Sequence, residues 1–151
     1  MYNKILVPID GSDVSERAMM KAKTMAEAFD AEIVLAYISG VFVRKGFESV
    51  SSIIEKKGDY DSTMNAVGKE AMDILESARE KLAFEKSDAV LIEDVSRNFG
   101  HVIAKFADEN QFDLIVMGSS GLGAKGSSRF LLGSVTTKTL HTASVPVMVV
   151  Y

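Results

Sequence analysis

Cysteine is absent from the chain, which excludes a disulfide framework, a thiolate metal site and a cysteine nucleophile. No apolar run approaches the length needed to cross a bilayer, and no signal-peptide layout precedes Lys4-Ile5-Leu6-Val7. The chain is therefore expected to be soluble and cytoplasmic. Basic charge is not in excess: the net charge is −4, which argues against nucleic-acid and anionic-membrane partners, since both select basic surfaces. Histidine occurs only at positions 101 and 141. Neither is paired in sequence with a nucleophile, and His141 falls in the last turn of an expected helix, where the dipole favours a cation. No internal repeat or low-complexity tract is visible. What remains is 151 residues of ordinary globular composition, 47% hydrophobic and 25% charged, which fits one domain spanning 1–151.

One further absence is local. No Asp or Glu follows Asp113, whereas Lys125, Arg129 and Lys138 do, so the last quarter of an acidic chain is cationic. That quarter opens with the stretch 113–134, DLIVMGSSGLGAKGSSRFLLGS: an apolar run, a glycine-dense loop, then Gly133-Ser134 at the start of an expected helix. Glycines let backbone N–H groups approach an anion, and a helix N-terminus adds partial positive charge. The pattern points to a nucleotide or another phosphorylated ligand.

The rest of the chain supplies a frame for such a corner. Lys4 to Ile9 reads as a short strand buried on both faces, ending in the turn Asp10-Gly11-Ser12. Ser12 or Asp13 can cap the helix that follows, with Glu16 at the capping-box position, and Ala18, Ala22, Met25, Ala26 and Phe29 form its apolar stripe. Glu32 to Ile38 is a second strand. Residues 39–60 read as a variable excursion over one end of the sheet. A long helix is expected from about Asp61 to Phe84, striped by Met64, Val67, Ala71, Leu75, Ala78 and Leu82. Ala89 to Glu93 is a third strand, Phe99 to Glu109 a helix with Val102, Ile103, Phe106 and Ala107 inward, and Leu114 to Met117 a fourth strand. Ser134 to Thr142 is a short helix, and Val147 to Tyr151 a fifth strand. Strands alternating with helices imply an α/β, doubly wound, five-stranded parallel sheet. Ligands of such sheets bind at the carboxyl ends of the strands where the winding reverses. If strands one and four are neighbours, one ligand can touch both the Asp10 turn and the glycine loop. Asp10 would then meet a ribose, a base or a metal, or else merely close its turn.

Several familiar phosphate motifs do not fit. Gly121-x-Gly123-x-x-Gly126 matches the dinucleotide fingerprint in form, but it follows the wrong strand and no acidic residue comes after it. A Walker A loop is absent, because Gly-Lys-Ser/Thr does not occur. A receiver-domain reading fails because the last strand does not end in lysine. The Asp10-Gly-Ser-Asp turn lacks the second glycine and leading serine of the ATP-pyrophosphatase loop.

Three separated motifs do agree with one family. Val7-Pro8-Ile9-Asp10-Gly11-Ser12, Asp113 to Gly118 with Gly121, and Leu132-Gly133-Ser134-Val135-Thr136 running on to Val145-Pro146-Val147-Met148-Val149-Val150 closely resemble the universal stress proteins. The resemblance covers the chain outside 39–60. The ATP-binding branch of that family carries Gly-x2-Gly-x9-Gly-Ser/Thr. Here Gly118-x2-Gly121 is present, but eleven residues precede Gly133-Ser134. Added loop residues cost little entropy and can bulge outward at Gly126-Ser127.

The resemblance implies a Rossmann-like sheet of strand order 3-2-1-4-5 and an adenine-nucleotide site. Asp10 would meet the adenosine, with Pro8 and Ile9 lining its pocket and Ile38 offering backbone groups to the adenine edge. Met117 and Gly118 would pass beneath the ribose and α-phosphate. Ser119, Gly121, Gly133, Ser134, Val135 and Thr136 would cradle phosphates. Lys125 and Arg129 are added on charge alone, and serve equally as solvated loop cations. ATP, ADP or AMP would be the ligand, with Mg2+ or Mn2+ held by the phosphates rather than by a protein site. Ser119, Ser120, Ser127 and Ser128 read as phosphate contacts or phosphorylation sites, and without a positioned base or arginine finger hydrolysis would be slow. The apolar edge Val147, Met148, Val149, Val150 and Tyr151 would pair with a second copy in a homodimer. Three functions stay open: a nucleotide-binding regulator of the stress response acting on a protein partner, a slow ATPase or nucleotide-dependent enzyme, and a chaperone-like dimer with an empty pocket.

Overall fold

A computed structural model of the chain describes residues 1–41, 65–122 and 131–151. Its elements, in chain order, are β1 (Lys4–Pro8), α1 (Asp13–Phe29), β2 (Glu32–Ser39), α2 (Ala66–Leu82), β3 (Ser87–Glu93), α3 (Phe99–Glu109), β4 (Leu114–Gly118), α4 (Ser134–Thr142) and β5 (Val147–Val150). The strands form one parallel sheet in the order β3-β2-β1-β4-β5. Lys4 to Pro8 pairs with Glu32 to Ala36 on one side, while Ile5 and Leu6 pair with Leu114 and Ile115 on the other. The winding therefore reverses between β1 and β4, as expected from the two polar strand ends.

Alternation along the strands divides the core in two. Ile5, Val7, Ile33, Leu35, Leu91, Leu114 and Val116 face α1 and α2, where Met19, Ala22, Met72 and Leu75 complete the first core. Leu6, Ala36, Ile115 and Met117 face the other way, against Ile103 and Ala107 of α3 and partly buried Val135 of α4. Each central strand is buried on both faces, which is why it reads as a continuous apolar run.

The helices correct the expectations in detail. Ser12 is the N-cap of α1: its Oγ accepts the Ser15 N–H at 3.2 Å. Glu16 therefore lies one position past the capping-box site, and it reaches across to Lys81 of α2 at 2.9 Å instead. Phe29 is 39% exposed and packs edge-on against Tyr2, with ring centroids 5.4 Å apart. Val67 is exposed rather than part of the α2 stripe, whose buried face is Gly68, Ala71, Met72, Leu75 and Leu82. Asn65 caps that helix by accepting the Gly68 N–H at 3.0 Å. Residues 61–64, including Met64, and most of the 39–60 excursion lie outside the described residues. Strand β3 begins at Ser87, two residues before the expected start, because Ser87 pairs with Ile33. At the other end, β5 stops at Val150, and the Tyr151 carbonyl accepts from Arg17 Nε at 3.1 Å rather than extending the ladder.

Candidate functional site

At the carboxyl edge of the sheet, over the junction of β1 and β4, lies a cavity of about 530 Å³. Every position expected to contact a nucleotide lines it, with the exception of Ser119 among the described residues: Pro8 from β1 with Ile9 and Asp10 from the turn after it, Ile38 from β2, Met117, Gly118 and Gly121 from β4 and its loop, and Gly133 to Thr136 from the start of α4. Lys125, Arg129, Gly123, Gly126, Ser127 and Ser128 lie outside the described residues. Neither histidine is among the lining residues.

Ser119 does a different job. It is buried, its N–H donates to the Val150 carbonyl at 2.8 Å, and its own carbonyl accepts from Gly133 N at 2.8 Å. The chain thus leaves β4 at Ser119 and returns to the same place at Gly133. The stem of the loop is pinned from both sides by backbone, so the extra loop length falls beyond it. A Cβ on Gly133 would come 3.3 Å from the Ser120 Cα, closer than a side chain fits without displacing backbone.

Asp10 both closes its turn and reaches across the cavity. Its Oδ1 accepts the Ser12 N–H at 3.0 Å, and its Oδ2 accepts the Leu122 N–H at 3.0 Å. A Cβ at Gly121 would sit 2.5 Å from Oδ2, so a side chain there would have to displace the carboxylate. Burial pushes the Asp10 carboxyl up, but hydrogen bonds from Ser12, Leu122 and Ser15 outweigh it and leave the group below the usual aspartate value. A carboxylate held ionised at this spot ties the end of β1 to the loop after β4.

The start of α4 has the opposite character. Its N-cap, Gly133, offers no side chain, and its first turn contains no acidic residue. The first bond within the helix runs from Thr137 N to the Gly133 carbonyl at 2.9 Å, so the N–H groups of Ser134, Val135 and Thr136 have no acceptor in the helix itself. All three residues line the cavity. The Thr136 hydroxyl is already committed, donating to the buried Gly118 carbonyl at 2.9 Å. Its expected contribution to phosphates is therefore reduced to its N–H, while the exposed Ser134 keeps its hydroxyl available.

The model of the universal stress protein family matches residues 1–151. Universal stress protein YxiE of Bacillus subtilis is 35% identical, with 99% of each chain covered. Universal stress protein MJ0531 of Methanocaldococcus jannaschii is 34% identical over 99% of this chain and 82% of its own. The chain belongs to the universal stress protein family. Among solved structures, the universal stress protein from Archaeoglobus fulgidus in complex with dAMP superimposes with a TM-score of 0.65 at 22% identity, covering 99% of this chain and 98% of that one, which supports the fold.

Other lining residues were not expected from the family motifs. Ser15, Tyr37, Phe99, Ile103 and Leu122 also border the cavity, as does Ser120, which the sequence offers as a phosphate contact or phosphorylation site. Burial, reinforced by the negative charges of Glu70 and Asp10, pushes the Tyr37 phenol above its usual value, so it stays a neutral hydroxyl at the cavity wall. Among the described residues no group of three acidic, histidine or cysteine side chains converges as a metal site. No helix of the described residues is long and apolar enough to cross a membrane.

Proposed function

We propose that the cavity binds an adenine nucleotide, ATP in its full length, and that the chain is a nucleotide-responsive regulator in the stress response. The observation that carries this reading is the open first turn of α4. Ser134, Val135 and Thr136, whose backbone N–H groups have no intrahelical acceptor, all line the cavity. Such a terminus favours the negative charge of a phosphate. The residues across from it are apolar or uncharged apart from Asp10, which suits a nucleoside. The dAMP complex of the Archaeoglobus fulgidus protein is consistent with an adenine mononucleotide in this fold.

In this reading Pro8, Ile9, Asp10 and Ile38 bound the nucleoside, Met117 and Gly118 lie under the ribose, and Gly121 and Gly133 to Thr136 take the phosphates. Mg2+ or Mn2+ would enter with the phosphates. The β5 edge, Val147 to Val150, pairs with that of a second copy, so the acting species is a homodimer.

Calorimetric titration of ATP into the purified protein, with and without Mg2+, tests the site beside the Gly133→Val and Asp10→Ala variants. Saturable micromolar binding that Gly133→Val abolishes is the expected result. Absence of binding by the wild type would overturn the reading. Sedimentation with and without ATP tests the dimer, for which a single sedimenting monomer in both conditions is the contrary outcome.

A further inference from the structure

Phe99 opens α3, and its ring stands half-buried in the wall of the cavity. Phe106 and Phe112, by contrast, pack with each other at 5.8 Å on the second core. Phe99 belongs to neither core. The tip of its ring lies against Gly40, just past the end of β2, where an added Cβ would be only 3.1 Å from Cζ. Ile38, and Ile103 one helical turn along α3, line the same cavity. In the sheet order, β2 lies on the far side of β1 from β4 and the loop that leads to α4. The cavity therefore has an end at α4 formed by a helix N-terminus and an apolar, aromatic end at β2 and the start of α3.

We infer that Phe99 is the wall on which the nucleobase stacks, and that it makes the cavity select purine over pyrimidine nucleotides. This rests on the nucleotide reading above, which already names adenine, and adds to it the residue that carries the choice of base. A flat ring at a cavity wall, outside the core, gains most from a ligand that is itself flat and apolar on its faces. A purine covers more of such a ring than a pyrimidine does, and removes more apolar surface from water. Stacking of a base on an aromatic side chain changes affinity by roughly ten- to hundred-fold. A phosphate or ribose phosphate, which binds only at the α4 end, gains nothing from it.

The test titrates AMP, CMP and ribose 5-phosphate into the wild type, Phe99→Leu and Phe99→Trp. The wild type should prefer AMP to both other ligands. Phe99→Leu, which keeps an apolar side chain at the start of α3, should lose roughly ten-fold or more for AMP and leave ribose 5-phosphate unchanged. Because the chain has no other tryptophan, Phe99→Trp provides its own reporter: it should keep AMP affinity, and its fluorescence should be quenched by AMP but not by ribose 5-phosphate. Equal losses for AMP and ribose 5-phosphate in Phe99→Leu would make the residue merely structural and overturn the inference, as would an unchanged AMP affinity. If the wild type binds ribose 5-phosphate but shows no preference for AMP, the stacking wall fails while the phosphate corner stands. If it binds ATP but none of the three, the stacking wall fails; if ATP is not bound either, the nucleotide reading itself fails.

Discussion

Helices α1 and α4 both begin at the carboxyl edge of the sheet, on either side of the point where the winding reverses, yet they treat their first turns in opposite ways. Helix α1 satisfies its own terminus: Ser12 caps the Ser15 N–H, and Asp13 and Glu16 place negative charge in the first turn. Helix α4 has a glycine at its N-cap, no capping side chain and no acidic residue in its first turn. A glycine N-cap forgoes only roughly a few tenths of a kcal/mol relative to a Ser or Asp cap, and the absent first-turn acid forgoes about 0.3–1 kcal/mol more. Stability alone would favour capping both. Helix α3 also lacks a side-chain cap and a first-turn acid, so it is the position of α4's first turn at the cavity that, on the reading proposed above, gives it a partner from outside the chain, while α1 serves the fold.

The largest expected effect comes from closing α4 sterically. Gly133→Val puts a branched side chain 3.3 Å from the Ser120 Cα, at the pinched stem of the loop. ATP binding should become undetectable by calorimetry, with a loss of roughly 1–3 kcal/mol in stability from overpacking. A more discriminating change makes α4 resemble α1. Ser134→Asp adds the first-turn carboxylate that α4 lacks, on an exposed residue. It should raise unliganded stability by about 0.3–1 kcal/mol through the helix dipole, while lowering ATP affinity about ten-fold, the equivalent of roughly 1.4 kcal/mol. Opposite signs in melting temperature and affinity are the signature. A variant that loses both would show that residue 134 matters only for folding.

Much of this contrast was legible in the sequence. The boundaries of α3 and α4, and the alternation of strands and helices that fixed the sheet, follow from apolar periodicity and from glycine and asparagine at element ends. The cavity end at α4 stood out as a candidate phosphate corner because glycines, an expected helix start and the loss of acidic residues after Asp113 coincide. Less visible were choices between adjacent polar groups. Ser12 rather than Asp13 caps α1, because its extended backbone aims Oγ at Ser15, and nothing in the order Ser-Asp decides that. Ser119 reads like a ligand contact beside Ser120, but the β4–β5 ladder and the returning Gly133 claim its backbone. Phe99 went unnoticed because it reads as an ordinary helix residue. The topology held the missing signal, since every helix of a parallel α/β sheet starts at the edge where ligands bind.

The converse substitution acts on α1. Ser12→Ala removes the cap but leaves the Ser12 N–H that Asp10 Oδ1 accepts. Chemical denaturation should show a loss of about 0.5–2 kcal/mol, with ATP affinity within about two-fold of wild type if α1 serves only the fold. A larger drop in affinity would mean that the α1 terminus shares in the site, and the distinction between the two helices would collapse.

The smallest effect tests the residue that links the two regions. Asp10 takes the Ser12 N–H with one oxygen, at the start of α1, and the Leu122 N–H with the other, on the loop leading to α4. Asp10→Asn keeps one acceptor oxygen and turns the other into a donor that faces a second N–H, so one of the two bonds must break. Because the folded carboxyl titrates below its ordinary value of 3.8, the ionised form is the one that folding favours. The stability it contributes is therefore fully present above that value and is lost as pH falls through the lower folded value. The difference in unfolding free energy between wild type and Asp10→Asn should stay constant from neutral pH to about pH 5, then shrink in more acidic solution. In hydrogen exchange, the Leu122 amide of the variant should exchange faster at neutral pH while the interior of α1 keeps its protection. A difference that grows on acidification would mean that the carboxyl is held protonated, and that the tie between β1 and the loop is not the charge-assisted one described above.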